Sequence, residues 1–179
     1  MSGGTALKGF ADWLSRTAPS VFIQQHEAWM IPTIQSAHIV GIGVVLASVL
    51  MMTLRIYGLV GVDRTLQQTR RRFGPWLTGA LLLLLATGLL MVVGEPEREL
   101  VTFSFWLKMA LVAVGASVAF WFQGSLRRHE DDWEVRLARR GSVRLLAAMT
   151  FLIWLAVIFL GRLIAYDHVW GPLSPATKA

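Results

Sequence analysis

The chain has 179 residues, of which 55% are hydrophobic, and it carries a formal charge of +6 with no cysteine. With a mean hydropathy of +0.55, a soluble domain of this size would have nowhere to hide its apolar surface, and disulfides, thiolate metal sites and thiol catalysis are excluded outright. The isoelectric point of 10.8 does not indicate nucleic acid as a partner, because the basic residues follow the connections between apolar segments and no recognition motif accompanies them.

Residues 1–33 form the first unit. Lys8 and Arg16 are matched by Asp12 and Glu27, so this segment is neutral in side-chain charge, and no basic start followed at once by an apolar run marks a signal peptide. Leu7, Phe10, Ala11 and Leu14 recur at helical spacing, with Trp13, Phe22 and Trp29 as interfacial aromatics. The pattern predicts a short amphipathic helix lying on the outer membrane surface. Pro32 is expected to break the path into the first span, leaving His26 and Met30 above the bundle.

Four apolar segments then follow, at 34–54, 76–94, 101–122 and 145–165. Each has about 19 to 22 residues, enough at about 1.5 Å per residue to cross a hydrocarbon core of about 30 Å. Strands this apolar would not suit a barrel lumen, so the fold class is an all-α membrane protein, a four-helix antiparallel transmembrane bundle over residues 34–166. The tail, 167–179, contains Pro172 and Pro175 and is expected to be poorly ordered outside the bundle.

Eleven of the seventeen Lys and Arg residues lie in two stretches, residues 55–72 and 127–144. Basic loops stay in the cytoplasm. Both termini, and the acidic turn Glu95-Pro96-Glu97-Arg98-Glu99, should therefore be periplasmic in a bacterial inner membrane. The stretch from Gln123 to Arg144, with His129 and Trp133, reads as a cytoplasmic loop with a helical turn or two.

Ionisable residues inside the spans mark a functional site. His38 lies about 6 Å below the outer end of the first span and Lys108 about 10 Å below that of the third. Arg162 sits a turn from the outer end of the fourth. His26, Tyr166, Asp167 and His168 belong to the surface above them. A b-type haem needs imidazole ligands and cations for its propionates, which makes His38 the axial candidate. Lys108 and Arg162 are its propionate or quinone partners. His168, His26, Met30 or Met91 is the second ligand unless the iron is five-coordinate, and Trp106 is a candidate pocket wall. Small residues at Ala37, Gly41, Gly43 and Ala47 would admit either another helix or a flat macrocycle. Copper is the rival, with His38, His168, His26 and Met30 as metal ligands, although two nearby cations oppose a metal ion and favour an anion. A third option is a non-catalytic anchor or accessory subunit of a larger complex. No Ser-His-acid set, paired carboxylates or phosphate loop supports a hydrolase or transferase, so electron transfer or an accessory role suits the chain better than stand-alone catalysis. The expected partners are the bilayer, a quinone or a periplasmic redox protein.

The run from His26 to Gly41 (HEAWMIPTIQSAHIVG), followed by Leu54-Arg55-Ile56-Tyr57-Gly58-Leu59, resembles a bacterial family of four-helix membrane proteins, the DUF6644 group. Pro75-Trp76, Thr87-Gly88, Gly94-Glu95-Pro96, Phe105 to Met109 and Gly161 to Tyr166 extend the resemblance. That group is distantly similar to copper-resistance protein D and to the haem-associated membrane protoporphyrinogen oxidase, which share a histidine in the first helix and a lysine in the third. His38 and Lys108 match those positions, so the resemblance implies haem or copper without choosing. Where the family places an acid before the Leu-Arg pair, this chain has Thr53. Arg55 is then expected to pair with Asp63 or a lipid phosphate.

Overall fold

The computed structural model describes residues 2–128 and 141–163, and among these the only regular elements are helices. They are α1 (Ser2–Ser15), α2 (Ala18–Gln25), α3 (Glu27–Ile56), α4 (Leu66–Gly94), α5 (Pro96–Leu100), α6 (Phe103–Arg128) and α7 (Gly141–Leu163). Within them α3, α4, α6 and α7 each contain a stretch long and apolar enough to cross a membrane. Their outward faces carry exposed Ile39, Val40, Leu82, Leu85, Leu152 and Phe159, a surface suited to lipid rather than water.

Local chemistry sets the boundaries. Helix α3 ends in a Schellman turn: Leu59 N–H bonds the Leu54 carbonyl at 2.9 Å, Gly58 N–H bonds Arg55 O at 3.1 Å, and Gly58 takes the left-handed φ of 75° that this closure requires. Helix α4 opens on a capping box, in which Thr65 Oγ1 accepts from Gln68 N–H at 3.1 Å and Gln68 Oε1 accepts from Thr65 N–H at 3.0 Å. Arg55 Nε donates to the Arg64 carbonyl at 2.8 Å, because the tight turn after α3 brings that carbonyl back over the helix end. Thr53 is buried and its hydroxyl reaches Ala147 O on α7 at 3.4 Å.

Pro32 does not interrupt the entry to the first span. It lies inside a continuous α3, since a proline so near a helix start removes only one backbone bond. The N-terminal segment is two helices rather than one. Ala11 of α1 is fully buried with Leu100, Val101 and Phe105, while α2 sets Ile23 against Gly94, where an added Cβ would stand 2.9 Å from Ile23 Cγ2 and 3.1 Å from Ile31 Cδ1. Together α1 and α2 cover the end of the bundle at which α5 links α4 to α6.

Inside the bundle, α3 packs along both α4 and α7, α6 packs along α7, and α4 meets α6 over a shorter stretch. Val45, Val49, Leu77, Ala80, Ala119, Trp154 and Val157 form the central core. Gly41 serves helix packing rather than a macrocycle face, for a Cβ there would meet Leu84 Cδ2 at 3.0 Å.

Candidate functional site

A buried acid, a buried base and an imidazole collect beneath the α1–α2 cover. His38 lies in the upper part of α3 with its ring against α4, where Nδ1 is 2.7 Å from Thr87 Oγ1. Next to Thr87, Gly88 makes room for the ring: a Cβ at that position would lie 3.7 Å from His38 Cε1. The Thr87 hydroxyl is also 2.7 Å from Leu83 O, the back-bond usual for a helical threonine. A hydroxyl has one hydrogen. Given to Leu83 O, it leaves Oγ1 to accept from a protonated His38 Nδ1 and puts the lone pair on Nε2; turned to His38, it gives the other tautomer.

Lys108, on α6, is 8% exposed. Its ammonium reaches α7 where Gly161 leaves space, a Cβ there standing 3.8 Å from Nζ. Among the described residues no hydrogen bond or ion pair engages it, yet it is near enough for its charge to act on both His38 and Glu99. Glu99, in α5, is only 4% exposed. Burial pushes its carboxyl above the usual range, opposed by the positive charges of Lys108 and Arg98 and assisted by Glu95. Arg98 turns outward instead and bonds Glu95 Oε2 at 2.8 Å.

Trp106 and His26, also expected at the site, make their contacts elsewhere. Trp106 donates its indole N–H to the Leu100 carbonyl at 2.9 Å and is 45% exposed, so it closes the end of α5 and faces outward. His26 caps the α2–α3 junction: its Nδ1 donates to Phe22 O at 2.9 Å, and its ring lies between Phe22 and Trp29, with centroids at 4.7 and 6.1 Å. Twelve residues separate it from His38, about 18 Å along the axis; Met30 is about 12 Å away on the same measure. Arg162 is on the exposed side of the last turn of α7, beside Gly161. His168, Tyr166, Asp167 and His129 lie outside the described residues. No group of three or more His, Asp or Glu side chains able to hold a metal ion occurs among the described residues.

Two residues of the cluster escape a reading by hydropathy. Thr87 looks like packing within an apolar run, and Glu99 looks like part of a solvated acidic turn. The available signal for Glu99 is its position one short link before the helix that carries Lys108.

His38, Thr87, Glu99 and Lys108 fall within residues 12–167, which match the model of DUF6644, a family of unknown function. The chain belongs to that family. No curated protein and no solved structure matches it.

Proposed function

We propose that this DUF6644 protein binds one b-type haem and serves electron transfer near the periplasmic face of a bacterial inner membrane, its spans antiparallel and its termini periplasmic. The observation that carries the reading is the Thr87 anchor. A metal-binding histidine characteristically gives its second ring N–H to a fixed acceptor, which sets the tautomer and aims the free nitrogen. The 2.7 Å contact of His38 Nδ1 with Thr87 Oγ1 supports that arrangement, and the Lys108 charge is near enough to act on the ring.

The residues fit such a group on one axial side. His38 Nε2 would hold the iron, and Lys108, which has no hydrogen-bonded partner among the described residues, would hold a propionate. Met91, one turn beyond Thr87 on α4, is a second residue that could hold the iron. A haem bound there supplies a one-electron couple. Glu99 provides Lys108 with a counter-charge, and the α1–α2 cover limits water above the site. Copper fits less well, because a cation faces the imidazole and Met30 is a dozen ångströms along α3.

Oxidised and dithionite-reduced spectra of the purified protein, with metal analysis on the same sample, test the proposal. A Soret band with reduced α and β bands at one haem per chain, lost in His38→Ala, is the expected result. A colourless protein carrying copper would move the assignment to copper handling. A colourless, metal-free protein would leave an anchoring or accessory role.

A further inference from the structure

The end of the bundle opposite α5 contains a second feature, independent of the His38 cluster. Where α3 ends and α4 begins, the turn between them borders a surface pocket of about 260 Å³. Met51, Val60 and Phe73 supply its apolar wall, and Arg55, Arg64 and Arg72 stand around it against one acid, Asp63. Three arginines and one aspartate leave the lining with an excess of two positive charges. A void of about 150 Å³ already takes a benzene ring, so the pocket has room for a phosphodiester and part of its glycerol.

The turn holds these groups in place. Gly61 takes a left-handed φ of 64° and its carbonyl accepts from Arg64 N–H at 3.0 Å, which folds Arg64 back towards the Arg55 side chain. Arg64 Nε lies 3.8 Å from Asp63 Oδ2, beyond hydrogen-bond reach, and half of its side chain is exposed. The Arg72 guanidinium stands 5.7 Å from the centroid of the Phe73 ring, a cation–π contact that leaves its N–H groups available. Among the described residues Arg72 makes no hydrogen bond or ion pair.

The level of the pocket identifies its ligand. Arg55 follows the apolar run of α3 and exposed Trp76 begins that of α4, so the pocket lies where the apolar spans give way to charge. On the turn itself Leu59 and Val62 are each 70% exposed, an arrangement unfavourable in water and suited to the boundary between headgroups and acyl chains. A cationic pocket flanked by such side chains matches a phosphate carried on acyl chains rather than a soluble anion. Guanidinium groups bind phosphate oxygens through paired N–H donors. The excess of positive charge selects an anionic headgroup over a zwitterionic one, whose ammonium would meet the same arginines.

We infer that this pocket binds the phosphate of an anionic phospholipid in the leaflet at this end of the bundle, held by Arg64 and Arg72. Nothing in the assignment depends on haem at His38.

The test is lipid binding to the delipidated full chain in detergent, counted by native mass spectrometry with dioleoylphosphatidylglycerol and dioleoylphosphatidylcholine. The first phosphatidylglycerol should bind about tenfold tighter than phosphatidylcholine. Arg64→Gln and Arg72→Gln should each weaken it about tenfold, the loss of one hydrogen bond to a charged group. Arg71→Gln, an exposed change in the same basic stretch but outside the pocket, should leave it unchanged. Val60→Trp, which keeps every charge and fills the pocket, should also weaken it; if that variant melts early, Arg72→Gln on the exposed rim decides alone. Equal affinity for the two lipids, full binding by Arg72→Gln or by folded Val60→Trp, or an equal loss in Arg71→Gln would each overturn the assignment, the last by showing diffuse surface attraction. Displacement of the lipid by glycerol phosphate would overturn it too, by showing a site for a soluble phosphate.

Discussion

Replacing Thr87 with valine removes one oxygen and almost no volume, and the consequences follow from the geometry around His38. Thr87 is buried and its Oγ1 is 2.7 Å from His38 Nδ1, so with the ring proton on Nδ1 the variant leaves that N–H without an acceptor. That omission costs about 1–3 kcal/mol when no water replaces it, which corresponds to about a 10–100-fold loss of affinity for whatever Nε2 ligates. The assay is haem titration of the apoprotein followed at the Soret band, for Thr87→Val, Thr87→Ser and the parent. Serine restores the hydroxyl and should recover most of the affinity. If Thr87→Val bound haem as tightly as the parent while His38→Ala had lost it, the tautomer argument would fail even though His38 remained the ligand.

Other outcomes follow from the same geometry. Gly161→Leu should displace the Lys108 ammonium, since even a Cβ there lies 3.8 Å from Nζ; pigment occupancy should fall while the helical circular dichroism persists. Glu99 titrates above its ordinary 4.5 when folded, so the folded state keeps a proton that the unfolded chain releases. Its contribution to stability is complete below that ordinary value and is lost as pH rises through the raised one. Thermal midpoints measured from pH 4 to 8 should therefore fall less steeply for Glu99→Gln than for the parent, and identical slopes would remove Glu99 from the buried cluster. Gly94→Ala should loosen α2 through its clash with Ile23, at a cost of about 1–3 kcal/mol, visible as faster amide exchange over 18–25. Because the chain has no cysteine, single cysteines at Gly9 and Val62 can be labelled with an impermeant maleimide in whole cells, and labelling at 9 but not at 62 is expected.

Hydropathy picked out the four long apolar helices but not their ends. The first span is foreseen from Ile34, yet α3 starts at Glu27; the second is foreseen from Trp76, yet α4 starts at Leu66. Backbone hydrogen bonding continues into the headgroup region whatever the side chains, so polar turns such as Leu66 to Gly74 remain helical. His38 and Lys108 were legible because charge is rare in lipid. The surrounding pieces were less so, for opposite reasons: Thr87 is an ordinary residue in an apolar helix, and Glu99 becomes special only once α1 covers it. Trp106 misled because its indole proton finds a local carbonyl, and His26 because α2 supplies it with aromatic neighbours that no spacing rule reveals.

The contact between Ile23 and Gly94 also sets an order of events during synthesis. Ile23 leaves the ribosome about seventy residues before its receptor on α4 exists, and at about 5–20 residues per second this delay is on the order of several seconds. The N-terminal pair must therefore wait, already attached to an inserted first span, until a complete helical hairpin has formed beside it. Docking of the cover then follows insertion of α4, and a variant that slows it would leave Ala11 and Ile23 exposed to the cell's proteases in an otherwise inserted protein.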